Sequence, residues 1–335
     1  MKKTLLASAV LLAAAAPALA QSSVTIYGVL DLGARSIKND GYSTDNMIAK
    51  DGSGAASRLG FKGTEDLGGG LKAEFVLESG LTANTGTAGA GSRFWDRQAT
   101  LSLSSASWGE IRLGRAKTSN RLVIDAFDPW GSVGMPDGTR IYSALTSAAV
   151  TNRVDNQIAY FTPTMGGFYG SVDASEGSSN GNKTYSGRLG YKKGALHVAG
   201  GYGESENTNG QKYKLGTLGG SYDFGFVTPS LSVSQAKYMG YEQTIYQIGA
   251  TAPLAGGTLR ASYVQSTVNT AAEAFTGDGQ LFAVGYLYPL SKRTALYGTA
   301  AFIKNDGRAT YRLGGTGITA GGDSTGFDVG IRHSF

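Results

Sequence analysis

The sequence predicts an all-β protein whose strands close into a membrane-spanning barrel, and three observations lead to that fold class. Segments of alternating polar and apolar residues recur from end to end, as strands with two different environments require. Tight and long connections between these segments alternate. The last segment, "TGFDVGIRHSF" (325–335), puts Phe327, Val329, Ile331 and Phe335 on one face and stops inside the pattern. Closure of the sheet would pair this otherwise exposed edge.

The alternating segments number sixteen. They occupy 24–35, 57–64, 71–81, 94–104, 109–116, 152–162, 167–174, 184–193, 195–203, 213–224, 226–238, 241–252, 257–267, 278–289, 292–303 and 325–335. Lengths near ten residues match a tilted strand that crosses a bilayer. After residue 20 no segment approaches ~18 consecutive apolar residues, so the sequence excludes helical membrane spans.

The connections alternate in length along the chain. Every second one is tight, as in "EDLGGG" (65–70), "SASW" (105–108) and "PLSK" (289–292), whereas most of the others are long and polar. One link departs from the rule, because "YMGYE" (238–242) leaves almost no room for a loop. Short turns at one rim and long loops at the other are typical of outer-membrane barrels.

The charged residues indicate which face of the strands meets lipid. In "GEIRLGRA" (109–116), Glu110 and Arg112 alternate with Ile111 and Leu113. Sixteen strands enclose a lumen too wide for side chains to fill. The polar set is therefore predicted to face water inside, and the apolar set to face lipid outside. The predicted fold is a sixteen-stranded antiparallel transmembrane β-barrel.

The N-terminus predicts export from the cytoplasm. Lys2 and Lys3 are followed by the apolar run "LLASAVLLAAAA" (5–16) and then by "ALA" (18–20), a cleavage site of small residues. Together these features indicate a signal peptide over 1–20. The barrel domain would then cover 21–335. A membrane anchor is the alternative, but it needs roughly 20 apolar residues, and Pro17 argues against it.

Composition excludes several classes of function. Without the leader the chain has 28 basic and 25 acidic residues, a net charge of +3, and no run of five basic residues marks a nucleic-acid tail. The chain has no cysteine and two histidines, which nearly excludes zinc sites. We therefore expect no metal, no cofactor and no nucleic-acid partner.

Two other function classes are open at this point. A hydrolase embedded in a barrel needs a nucleophile, a base and an acid in contact, but His197 lies in a predicted strand and His333 on an apolar face, neither with an obvious partner. No catalytic residue is predicted, and we do not expect an enzyme. A secreted soluble β-protein, such as an adhesin or a carbohydrate-binding protein, would partition into water without detergent.

Several motifs resemble the general-diffusion porins of Gram-negative bacteria, in particular their β-proteobacterial branch. They include "SSVTIYGVLDLG" (22–33), "SRLGFKGTEDLGGGLKAEFVLESG" (57–80), "RQATLSLSSASWGEIRLGR" (97–115) and the final "VGIRHSF" (329–335). The resemblance covers the whole chain after the leader. It implies an outer-membrane homotrimer in contact with lipid and lipopolysaccharide, with a water-filled pore for ions and small hydrophilic solutes. It also implies that the terminal Phe335 is an assembly signal, recognised by the machinery that assembles outer-membrane barrels.

The same resemblance implies that a long loop, 117–151, folds into the barrel and forms a constriction. Loops longer than ~15 residues are uncommon unless functional. This one carries apolar residues, among them Phe127, Trp130 and Met135, which could hold it against the wall. Its carboxylates, expected to face the channel, are Asp125, Asp128 and Asp137. A loop on the outer surface is the alternative interpretation.

On the opposite wall the resemblance implies a basic cluster at Arg58, Arg97 and Arg153. Alternation places Arg58 and Arg153 inward, which agrees with that role and predicts a modest preference for anions. Arg97 conflicts with it, because alternation puts Arg97 on the lipid face unless a bulge resets the strand. For any of these arginines the alternative is a wall charge paired with Asp or Glu.

Overall fold

The computed structural model describes residues 23–49, 51–89, 93–142, 145, 152–176 and 183–335. The predicted signal peptide lies outside these residues. The strands are β1 (Ser23–Asn39), β2 (Asp45–Ala49), β3 (Arg58–Gly68), β4 (Leu71–Thr82), β5 (Thr87–Ala88), β6 (Gln98–Ser105), β7 (Gly109–Lys117), β8 (Arg153–Phe161), β9 (Phe168–Glu176), β10 (Lys183–Lys193), β11 (Leu196–Glu206), β12 (Lys212–Tyr222), β13 (Thr228–Tyr238), β14 (Tyr241–Leu254), β15 (Gly257–Val268), β16 (Gly279–Pro289), β17 (Thr294–Asn305) and β18 (Ser324–Ser334).

Helices are few and short in the described ranges. They are α1 (Ser119–Phe127), a 3-10 helix (Gly138–Ile141) and α2 (Thr270–Glu273). No helix in this part of the chain is long and apolar enough to cross a membrane.

The described strands form a closed antiparallel barrel. Each strand pairs with the next in sequence, apart from the short β2 and β5, which are additions to β1 and β4. β1 pairs with β3 on one side and with β18 on the other, in register from Val29 opposite Ser334 to Asn39 opposite Ser324. Sixteen strands therefore make up the ring in the described part of the chain, and the predicted fold is confirmed.

The seam between the two ends of the barrel includes the terminal residue. The backbone N–H of Phe335 donates to the carbonyl of Gly28, and the N–H of Gly28 donates to the carbonyl of Phe335, both at 3.1 Å. A Cβ on residue 28 would lie 2.3 Å from the Phe335 ring. Gly28 thus leaves the space in which the terminal ring lies across β1.

The predicted alternation of turns and loops is confirmed. Residues 69–70, 194–195 and 255–256 form two-residue turns at one rim, and the long links lie at the other. The exceptional link, Met239–Gly240, is a two-residue turn in which both residues have positive φ, 51° and 86°. Tight hairpins require that backbone conformation because it matches the twist of the strands.

The outward face is apolar as predicted, but the inner face differs from the prediction on part of the wall. Leu101 and Ile158 point outward and are 61% and 54% exposed. On β14 to β17, however, the inner face also carries fully buried apolar residues, such as Ile245, Leu281 and Ile303. They join one core with residues of the link 118–152 and of the last loop, 306–323. The lumen is therefore partly filled by loops, and only the remainder faces water.

Candidate pore constriction

The link 118–152, called the constriction loop below, enters the barrel. Its helix α1 packs against the inner wall formed by β9 to β13. The backbone N–H of Ser119 donates to Asp173 on β9 (2.6 Å) and to the hydroxyl of Ser186 on β10 (2.9 Å). The amide of Asn120 donates to the Leu215 carbonyl on β12. The alternative of a loop on the outer surface is wrong for the described part of this link.

Buried apolar side chains hold the constriction loop against the wall. Phe127, Trp130 and Met135 are at most 6% exposed. Each of these anchors packs directly on a glycine of the wall. A Cβ added to that glycine would lie within 2.5 Å of the anchor's side chain. The pairs are Phe127 with Gly219, Pro129 with Gly249, Trp130 with Gly285 and Met135 with Gly326. The wall glycines thus provide the space that the anchors occupy.

A second segment, 51–57, also turns inward and contacts the constriction loop. The Ser53 hydroxyl donates to Asp328 on β18 at 2.8 Å and accepts the backbone N–H of Met135 at 3.3 Å. The N–H of Ala55 donates to the buried Asp31 on β1. This segment therefore links the seam of the barrel to the far part of the constriction loop. No pattern in the sequence predicted it.

Between the constriction loop and the opposite wall lies an open space of about 280 Å³. Its lining is strongly basic. Among the described residues the basic side chains that line it are Arg35, Arg97, Lys117, Arg121, Arg140 and Arg153, and the acidic ones are Asp51 and Asp137. Six cations against two carboxylates create a positive potential at the narrow part of the lumen.

Arg58 and Arg97 share one carboxylate on the wall. Arg97 Nε lies 2.6 Å from Glu78 Oε1 and Arg58 Nε lies 3.4 Å from Glu78 Oε2. Arg97 reaches the lumen side because β6 begins only at Gln98, so the alternation that placed Arg97 toward lipid does not extend to it. The predicted conflict is resolved without a bulge in β6. Both arginines are wall charges in ion pairs, and only Arg97 lines the open space.

Arg153 differs from these two. Among the described residues no carboxylate lies within ion-pair distance of its guanidinium, and its hydrogen bond to Asn152 is long, at 3.5 Å. It faces the open space, although β8 is irregular beside it. The register with β7 shifts between Gly114 and Ala116, and Asn156 has a φ of 52°. The alternation of inward and outward side chains along β8 therefore cannot be continued from Gln157 to Arg153.

Asp125 lies between two cations and is neutralised by them. Its carboxylate is 2.6 Å from Lys117 and 2.7 Å from Arg121. Burial alone would raise the pKa of Asp125, but the two cations outweigh it, so the pKa lies below its ordinary value. Asp125 remains ionised and removes one of the two positive charges from the space.

Asp128 does not face the channel, and the expectation that it would is wrong. It is 6% exposed, and its carboxylate accepts the backbone N–H groups of Trp130 and Ser132, both at 2.9 Å. It follows the last residue of α1, where free N–H groups of the next turn need an acceptor. Burial, together with the nearby Asp137, raises the pKa of Asp128 to about 7. Asp137 lies at the open space and accepts the N–H of Thr139.

Sequence reasoning missed four of the basic residues that line the space, namely Arg35, Lys117, Arg121 and Arg140. Arg121 stands four residues before Asp125, a spacing that signals an ion pair on a helix. Arg140 donates to the carbonyls of Gly134 and Met135, and burial lowers its pKa. Arg35 pairs with Asp328 at 2.7 Å. Only Arg121 carried a signal that could have been recognised, and only if helix α1 had been predicted.

A closed barrel with an aqueous path past an infolded loop defines a channel across a membrane. The chain belongs to the Gram-negative porin family, since the model of that family matches residues 7–308. It is accordingly a β-barrel channel protein of the Gram-negative outer membrane.

Its relatives and structural neighbours include porins from β-proteobacteria. The chain is 36% identical to outer membrane porin protein 32 of Delftia acidovorans and 31% identical to an outer membrane porin of Bordetella pertussis, with both chains covered in full in each case. It is 30% identical to the major outer membrane protein P.IB of Neisseria meningitidis serogroup B, again over both whole chains. Among solved structures, an anion-selective porin from Comamonas acidovorans matches with a TM-score of 0.82 and 31% identity, covering 94% of this chain and all of the other.

Proposed function

We propose that this porin carries ions and small hydrophilic solutes by passive diffusion, with a modest preference for anions. The observation that carries the proposal is the lining of the constriction, where six basic residues face two acidic ones in the described part of the chain. The match to a porin described as anion-selective supports the same preference.

The preference follows from the field in a narrow aqueous space. Guanidinium groups stay protonated at any physiological pH, and low-dielectric walls focus their field on the path of the solute. Glu78 and Asp125 offset part of the positive charge, which keeps the preference modest. Because exposed charges are screened over ~8 Å at physiological ionic strength and over ~3 Å at 1 M, selectivity should weaken as salt rises.

The test is the zero-current potential of single channels in a KCl gradient. The Arg153→Ser variant removes a guanidinium that has no ion-pair partner among the described residues, and should reduce the anion-to-cation permeability ratio by about two- to fivefold. Arg293→Ser removes the same charge from an exposed turn outside the lumen and is the matched control. A cation preference in the unmodified protein, or an equal potential in both variants, would contradict the proposal.

The assembly of the protein is proposed by analogy with other porins. We infer a signal peptide over 1–20, a homotrimer in contact with lipid and lipopolysaccharide, and recognition of Phe335 by the barrel-assembly machinery. Deleting Phe335 should lower the amount of oligomer that runs differently in SDS before and after boiling. An unchanged amount would argue against the assembly role, and a mature N-terminus other than Gln21 would argue against the predicted cleavage site.

We propose no catalytic role. His197 Nε2 lies 2.7 Å from the Tyr169 hydroxyl, and His333 Nδ1 lies 2.9 Å from the Thr294 hydroxyl. Neither pair includes the acid and nucleophile that hydrolysis by a triad requires. Turnover of lipase or protease substrates by the purified protein would overturn this view.

A further inference from the structure

Aromatic rings and arginines lie together on the inner wall near the short-turn rim. We call them the arginine–aromatic patch: Arg112 on β7, Phe161 on β8, Tyr169 on β9, Arg188 on β10 and His197 on β11. All five occupy inward positions of five consecutive strands, and each is partly exposed. The His197 ring also lies 4.9 Å from Phe127 at the end of α1. The patch therefore continues from the constriction loop toward the short-turn rim.

The two arginines of the patch lie over aromatic rings, but they differ in their hydrogen-bond partners. The Arg112 guanidinium is 4.3 Å from the centre of the Phe161 ring and donates two hydrogen bonds to Glu110, at 2.8 and 3.0 Å. The Arg188 guanidinium lies 5.2 Å from the Tyr169 ring centre and 5.9 Å from that of Phe161.

Arg188 makes no ion pair with a carboxylate in the described part of the chain. Its Nε donates to the Ser171 hydroxyl at 2.9 Å, and within the described ranges no carboxylate lies within ion-pair distance. Asp173 is nearby but lies outside ion-pair distance, and its Oδ1 accepts the Ser119 N–H and the Ser186 hydroxyl, both at 2.6 Å. The terminal nitrogens of Arg188 thus remain available to an anion in the lumen.

This combination suits one class of solute. Rings exposed on a water-facing wall gain from contact with another apolar surface, and guanidinium planes stack on aromatic rings. The forked donors of an arginine match the geometry of a carboxylate. A solute with a planar ring and a carboxylate could use both the rings and the forked donors, whereas an aliphatic acid could use only the donors and chloride only the charge.

We propose that the arginine–aromatic patch is a binding site for aromatic carboxylates, with Arg188 as the carboxylate ligand and Tyr169 and Phe161 as ring contacts. The site rests on the proposed anion-preferring channel, because solutes reach it through the constriction. It would favour aromatic acids over aliphatic acids of equal charge and similar size.

The test compares block of the chloride current by benzoate and by cyclohexanecarboxylate at neutral pH in planar bilayers. The two acids carry the same charge and differ in the planar ring. Benzoate should bind about two- to fivefold more tightly in the unmodified porin, which lies in the lower part of the range for a pair of aromatic rings. Arg188→Lys keeps the charge but loses the planar fork that binds the carboxylate, and should weaken block by both acids. Phe161→Leu removes a ring contact and should bring the affinities of the two acids closer together.

Arg332→Lys is the matched control, because Arg332 lies on β18, across the barrel from the patch. It should leave block by both acids unchanged. Equal block by the two acids in the unmodified porin, block that Arg188→Lys does not weaken, or a preference that Phe161→Leu does not reduce would overturn the proposal. The zero-current potential in a KCl gradient, recorded on the same channels, distinguishes failure of the patch proposal from failure of the proposed anion selectivity. Anion preference without benzoate preference overturns only the patch, whereas its absence overturns the channel's proposed selectivity.

Discussion

The two halves of the inner wall differ in what lies over them. On β3 to β8, the open wall, inward side chains such as Glu78 and Arg112 are polar and partly exposed to the lumen. On β12 to β17, the covered wall, the inward side chains Ile245 and Leu281 are buried beneath loops. The open wall supplies part of the charge that lines the pore, and the covered wall holds the loop that narrows it.

This division explains why a single barrel can be both rigid and open. The covered wall forms an apolar core inside the barrel, so docking of the constriction loop gains the free energy of burial that a water-filled lumen cannot supply. The open wall can then keep its arginines partly exposed to the aqueous space, with Glu78 as a partner for two of them. Changes on the two walls should therefore have separable effects, on loop docking and on ion selectivity.

The largest expected effect is the loss of an anchor from the covered wall. Trp130 is buried over Gly285, and its indole N–H donates to Ser262. Trp130→Ala should destabilise docking of the constriction loop by ~3–5 kcal/mol, as for other buried Trp-to-Ala changes. The hydrogen bonds between the barrel strands should persist. Hydrogen exchange of the amides in 119–142 measures docking, and the heat-dependent gel shift measures the barrel.

Leu101→Ala is the control for that experiment. Leu101 lies on the open-wall strand β6 but points outward and is 61% exposed, so truncation should leave loop exchange unchanged. Loop protection in Trp130→Ala equal to that of the unmodified protein would mean that the covered wall does not hold the loop.

The sequence predicted the open wall better than the covered wall, for a physical reason. Where one face meets water and the other lipid, alternation is clear, and β6 and β7 were predicted with the correct faces. Where a loop covers the inner face, both faces are apolar, as with Ile245 inside and Tyr246 outside on β14. Such a strand can still be recognised, but its inner environment depends on a loop that is distant in sequence.

The constriction was predicted only in outline. The resemblance pointed to the loop, Arg97 and Arg153, but Arg58 does not line the open space, and the resemblance did not predict the ion pairs that neutralise Arg58 through Glu78 or Asp125 through Lys117. Those pairs depend on cross-strand register and on the path of the loop, which local pattern does not encode. The burial of Asp128 had the same origin, since its acceptors are used by the turn that follows α1.

The seam between the covered wall and the open wall should tolerate little added volume. Gly28→Ala would place a Cβ 2.3 Å from the Phe335 ring and 2.8 Å from the Arg58 carbonyl. Overpacking of this kind costs ~1–3 kcal/mol, so the folded band in SDS should convert at a lower temperature. Gly187→Ala is the control, because its nearest contact would be an ordinary 3.4 Å. Equal conversion temperatures would show that the seam relaxes around the extra methyl.

A smaller effect is expected from pH, through the buried Asp128 of the constriction loop. Burial raises its pKa from 3.8 to about 7, so the docked loop binds more protons than the released loop between these values. The free energy of docking should therefore become less favourable as pH rises through that window, by about 1 kcal/mol between about pH 6 and about pH 8. Above the window it should no longer change. Single-channel recordings should show more loop-closure events at the higher pH.

Asp128→Asn removes the titrating group and should make the closure frequency independent of pH. A pH dependence that persists in this variant would assign the effect to another group.

The smallest expected effect concerns the charge balance of the constriction, and it separates the two aspartates that the sequence treated alike. Asp125 holds Lys117 and Arg121 at 2.6 and 2.7 Å beside the open space, whereas Asp128 is buried in a turn. Asp125→Asn should release positive charge toward the solute and raise the anion-to-cation permeability ratio by up to about threefold, because water in the lumen screens each charge. Asp128→Asn, with the same change of charge, should leave the ratio unaltered near about pH 6, where the buried carboxyl is already mostly protonated. The zero-current potential in a KCl gradient measures both variants. Equal shifts in the two would mean that selectivity follows the total charge of the loop, and that the individual contacts of Asp125 do not determine it.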